Sequence, residues 1–193
     1  MPDLGFMLVN KLRGRPVYGP PTGPVALPAP APPLTEREAS IEKRRMMTVL
    51  PGETQKFVED ILAWARAQGI PCILGETHRS EEEQKEIAKE GKKTTIPEGK
   101  TGWHQYGRAF HLILYKPGTK QIDPEAYKIV GAEVRRRGGE WLGDRLLKTP
   151  KGEMIQDLAH FEYHPGLKLS SYRDTALAKR EMKIVDRRAA RYG

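Results

Sequence analysis

Three histidines and two carboxylates carry the chemistry open to this 193-residue chain. His104 and His111 stand seven positions apart in the run Gly102-Trp-His-Gln-Tyr-Gly-Arg-Ala-Phe-His-Leu-Ile-Leu114. A second piece follows far downstream, Asp157-Leu-Ala-His160-Phe-Glu162. Three imidazoles with a carboxylate close by suit a catalytic metal site, in which three protein ligands leave one position open and a base stands beside it. Spacing alone leaves a second reading open, that of ordinary core or surface histidines, because two histidines seven apart are not a specific signature.

Such side chains need rigid mounts. The apolar run Ala109 to Leu114 predicts a buried strand carrying His111. Asp157 to Tyr163 is expected to be a closing strand. Its period-2 alternation would put Asp157 and His160 on opposite faces, so a twist or bulge is required if both are to face one ion. Pro71 to Thr77 predicts a further strand, and Ser80 is a good N-cap for a helix over Glu81 to Lys89. Arg79 lies at that junction, where a guanidinium can take a carboxylate bidentately or form a surface ion pair with the Glu81–Glu83 run. His78 reads as structural or exposed. Trp103 and Tyr106 flank His104 and either pack the core or present rings to a ligand.

Three more helices frame these pieces. Thr35 to Met47 carries a capping box in Thr35 and Glu38. Glu53 to Ala67 has an apolar face of Phe57, Ile61, Leu62 and Trp64/Ala65. Pro124 opens a helix to about Arg137, with Tyr127, Val130 and Val134 inward, and Gly138-Gly139 ends it. Lys92 to Lys100 is a basic loop leading to His104, and Asp144 to Gln156 a polar loop. The ends differ from the middle: eight prolines between Pro16 and Pro33 make residues 1–34 an extended arm. Residues 168–193 hold a basic helix, and 35–167 form the main domain.

Composition narrows the classes. With 33 basic and 25 acidic residues the formal net charge is +8, which suits nucleic acid, anionic lipid or an anionic polymer such as the bacterial cell wall. No nucleic-acid reader motif accompanies the charge, which argues against nucleic acid. Cys72, the single cysteine, sits in an apolar run and reads as a buried structural thiol. No run is long and apolar enough for a membrane span, and the first ten residues carry no secretory leader pattern.

The motifs resemble those of the zinc D,D-peptidase and L-alanyl-D-glutamate endopeptidase family. His104, Gly107 and Ala109 match its His-x-x-Gly-x-Ala-x-Asp motif. Asp157-x-x-His160-Phe-Glu162 is similar to its second motif, Arg79-Ser80 with Gln84 to its Arg-Ser-x-x-x-Gln element, and Gly138-Gly139-Glu140-Trp141 to the segment before its last strand. The family includes bacterial D-Ala-D-Ala carboxypeptidases and phage endolysins and shares its fold with the Hedgehog signalling domain. The resemblance therefore implies an α+β fold, a small antiparallel sheet flanked by helices, with the N-terminal arm and C-terminal helix as additions.

It also implies Zn2+ held by His104, His111 and His160, with Asp157 as proton carrier, Arg79 as a substrate-carboxylate ligand and Glu162 supporting a ligand histidine. The substrate implied is the stem peptide of peptidoglycan. Two departures stand out: Gly102 replaces the usual Ser, and His111 the usual Asp ligand. A functional three-histidine site and a degenerate one kept for structure are both open on this ground. The odd ends suggest a phage setting, either a tail-associated lysin whose arm and C-terminal helix dock on tail proteins, or a free endolysin passing from host cytoplasm to cell wall. The alternative is a structural adaptor of such a particle.

Overall fold

A computed structural model describes residues 29–89, 102–148, 152 and 154–192. Most of the proline-rich arm and the Lys92–Lys100 loop lie outside the described residues. The helices are α1 (Glu36–Met46), α2 (Glu53–Ala67), α3 (Glu81–Lys89), α4 (Pro124–Arg136), α5 (Leu169–Tyr172) and α6 (Ala176–Tyr192). The strands are β1 (Cys72–Leu74), β2 (Ala109–Leu114), β3 (Glu140–Trp141), β4 (Leu147–Lys148), β5 (Met154–Ile155) and β6 (His160–Glu162). Four of them form an antiparallel sheet in the order β1-β2-β6-β3. The architecture is the expected α+β one, a small antiparallel sheet flanked by helices.

Alternation along the strands divides the molecule. Phe110, Leu112 and Leu114 of β2, Phe161 of β6 and Trp141 of β3 are buried with Phe57, Val58, Ile61 and Leu62 of α2 and Tyr127, Val130 and Val134 of α4. His111 of β2, and His160 and Glu162 of β6, are only partly buried, out of step with that core. The register sets His111 directly opposite His160 and Ala109 opposite Glu162. One sheet face thus builds the apolar core, and the other carries the polar chemistry.

Local signals account for the helices. Thr35 and Glu38 close the capping box on α1, and Ser80 and Glu83 bond reciprocally at the start of α3. Asp123 caps α4, whose first residue is Pro124.

Three expectations need correcting. The strand expected over Pro71–Thr77 is regular only at Cys72–Leu74, because the chain then bends round His111. The stretch expected as a loop before Asp157 includes the antiparallel pair β4 and β5. The closing strand begins at His160, since Leu158 and Ala159 form a turn.

The C-terminal helix is integral to the fold among the described residues. Arg108 donates two hydrogen bonds to Glu181 of α6, at 2.9 and 2.8 Å, and the Tyr172 hydroxyl also bonds Glu181. Trp103, Tyr106, Ala109, Tyr172 and Ala178 form a second apolar cluster there. Trp103 and Tyr106 are therefore buried packing residues.

Candidate metal centre

His104 comes from a 3-10 turn, Trp103–Tyr106, that ends at Gly107 in the left-handed region (φ 64°). A side chain at Gly107 would also bring its Cβ to 2.7 Å from the Leu50 nitrogen, so glycine is required on two counts. The Leu50 N–H donates to the Gly107 carbonyl at 2.9 Å and ties the turn to the start of α2. His104 is 2% exposed. Its Nδ1 lies 2.5 Å from the Thr77 carbonyl, which can only accept, so Nδ1 carries the proton and Nε2 presents a lone pair.

That His104 Nε2 is buried with no hydrogen-bond partner. Burial, reinforced by the charges of His160 and His111, pushes its pKa well below the ordinary histidine value and keeps it neutral.

The other two imidazoles meet it. One nitrogen from each of His104, His111 and His160 lies within 4.8 Å of the others. His111 Nε2 is 3.3 Å from His160 Nδ1, and the three rings stand edge to face with centroids 4.9 to 5.3 Å apart. Burial, with His160 adding to it, holds the His111 pKa at about 4. Three imidazoles converging on one point, one with a stranded buried lone pair, fit a divalent ion of the zinc class. An unpaired buried polar atom is otherwise costly.

Carboxylates surround the cluster. Asp157 Oδ2 lies 3.8 Å from His111 Nε2, with its side chain 37% exposed, so it stands at the solvent side of the cluster. The turn after it resolves the facing problem posed by strand alternation: Asp157 precedes β6, its carbonyl accepts from the His160 N–H at 3.4 Å, and Trp141 Nε1 donates to the Leu158 carbonyl at 2.8 Å. Glu162 accepts from His160 Nε2 and from His164 Nε2, each at 2.8 Å. Burial would raise the Glu162 carboxyl, but these two hydrogen bonds outweigh it and hold the pKa at about 2. With Nε2 so engaged, His160 turns Nδ1 to the cluster.

Arg79 lies beside the site with an occupied guanidinium. Nε and Nη2 donate to the two oxygens of Glu76 at 2.7 and 2.5 Å, and Nη1 donates to Gln84 Oε1 at 2.8 Å. The surface pair with Glu81–Glu83 is replaced by this inward grip. His78 faces Asp186 of α6 at 3.0 Å.

Sequence reading missed Glu76, whose Oε2 is 3.6 Å from His111 Nδ1. It also missed His164, which stacks on Trp103 at 4.2 Å and lies two positions past Glu162, the one signal that could have found it. Glu140, Glu162 and His164 make a second polar cluster on the same face.

The sequence matches no protein-family model and no curated protein. Among solved structures the chain is similar to the L-Ala D-Glu endopeptidase ChiX of Serratia marcescens, with a TM-score of 0.50 and 19% identity over 68% of this chain and 89% of that one. It is less similar to the vancomycin-resistance D,D-pentapeptidase VanY, solved as a mutant with Zn(II), with a TM-score of 0.44 and 21% identity over 69% of this chain and 76% of that one. The likeness to ChiX establishes a shared fold.

Proposed function

We propose that this protein is a zinc-dependent peptidase that cuts stem-peptide bonds of bacterial peptidoglycan. The observation carrying the reading is the buried, unpartnered Nε2 of His104, aimed with nitrogens of His111 and His160 at one point beside the Asp157 carboxylate. The motif resemblance supports it, and the structure of like fold is an L-Ala D-Glu endopeptidase.

Zinc held by the three histidines supplies Lewis acidity and makes a nearby water more acidic. The protein's own groups do the rest. Asp157 Oδ2 takes a proton from the attacking water and returns it to the leaving amine. Glu162 fixes the His160 ring through Nε2. Arg79 is the ligand for a substrate carboxylate, which would take the place that Glu76 now holds.

A second reading is favoured by one observation, the histidine at position 111 where the resembled motif has aspartate. On that reading the protein is a structural component of a phage particle that keeps the peptidase fold. In either reading a phage tail setting would use the exposed basic face of α6 for docking, since its other face is packed on the domain through Glu181.

The test compares release of new amino groups from purified peptidoglycan by the zinc-loaded protein and by Asp157→Ala. The expected outcome is release that falls by about 100-fold or more in the variant while zinc stays bound. No release from several wall types, with zinc bound, would favour the structural reading.

A further inference from the structure

Three imidazoles bring no negative charge to a dication, and beside Asp157 and Glu162 a further carboxylate that sequence reading passed over, Glu76, stands behind a ligand histidine. In β1, Cys72 and Leu74 point into the core. Regular alternation would send residue 76 there too. Instead two residues face one: the Gly75 N–H donates to the His111 carbonyl at 2.7 Å, and the His111 N–H donates to the Glu76 carbonyl at 2.7 Å. This bulge-like pairing returns Glu76 to the face of the histidines. A side chain on Gly75 would come within 3.0 Å of His111 Cβ, so glycine there lets the two chains approach. The result is an approach of 3.6 Å between Glu76 Oε2 and His111 Nδ1, on the far side of the ring from the cluster.

We propose that Glu76 is a positioning residue for the metal site: it keeps the proton on His111 Nδ1 and leaves the Nε2 lone pair directed at the ion. The inference rests on the metal reading above. A carboxylate behind a ligand histidine raises its basicity and fixes its orientation. Arg79 grips the same carboxylate, so an arginine and a ligand histidine compete for Glu76.

Zinc affinity, measured by competition with a chromophoric chelator, tests this without relying on turnover. Glu76→Gln, close in shape and uncharged, is expected to weaken zinc binding about 10- to 100-fold, with partial recovery in Glu76→Asp. Arg79→Met, which releases Glu76 to His111, is expected to keep or tighten binding. If Glu76→Gln binds zinc within about twofold of the unaltered protein, the inference fails while the metal site stands. If Arg79→Met loses affinity as Glu76→Gln does, Glu76 serves only to hold Arg79, and the inference fails. If the unaltered protein binds no zinc, the metal reading falls and takes the inference with it. Far-ultraviolet circular dichroism of each variant checks that the fold is retained.

Discussion

Each of the three histidines at the site has one ring nitrogen turned to a group outside the cluster. His104 commits Nδ1 to a carbonyl, His160 commits Nε2 to Glu162, and His111 faces Glu76 with Nδ1. The remaining nitrogens converge because the backbone and carboxylates behind them leave no other choice. Cys72 shows the opposite use of a reactive residue type. It is 1% exposed, and burial pushes its thiol up to about 11. At pH 8 it is therefore protonated and shielded, and alkylation with iodoacetamide is expected only after unfolding. Because the folded-state pKa lies above the ordinary value of 9.0, the folded state holds the proton more tightly. Stability from this group is complete below about pH 9 and declines as pH rises towards 11. Denaturant midpoints across that range should fall, and Cys72→Ala should flatten the slope.

At the scale of elements, the site hangs on a sheet whose opposite face is the apolar core, so strand alternation alone sets His111, His160 and Glu162 on one side. The 3-10 turn bearing His104 is held from behind by α6, through the partly buried Arg108–Glu181 pair, with side chains 13% and 11% exposed. Glu181→Ala would leave Arg108 and the Tyr172 hydroxyl without their acceptor. A loss of about 3 kcal/mol in unfolding free energy is expected, measured by urea denaturation. Zinc affinity should fall as well, since the turn carries His104. A variant with unchanged stability would show that α6 is dispensable to the turn.

For the whole molecule, the formal charge of +8 sits on a chain whose described helices include none long and apolar enough to cross a membrane. Attraction to an anionic wall polymer would be long-ranged and screened by salt. Co-sedimentation with purified peptidoglycan is expected to fall several-fold between about 0.05 and about 0.5 M salt. Retention at high salt would point to short-range contacts in place of the charge.

Much of the fold was legible in the chain because its signals are local. The capping box at Thr35, the proline opening α4 and the stop at Gly69 report on a few neighbouring residues, and α2 runs over the span its apolar period predicts. The motif order likewise singled out His104, His111, His160 and Asp157 as a group, and the structure brings them together. What the sequence could not determine is set by contacts between distant segments. The turn at Leu158–Ala159 lets Asp157 and His160 share a site, although strand periodicity opposes them. The paired approach of Gly75 and Glu76 to His111 reverses the side to which residue 76 points, and no pattern within residues 71–77 announces it. Periodicity says which residues share a face only while a strand stays regular. Where two strands meet out of step, the hydrogen bonds between them decide, and those exist only in the folded chain.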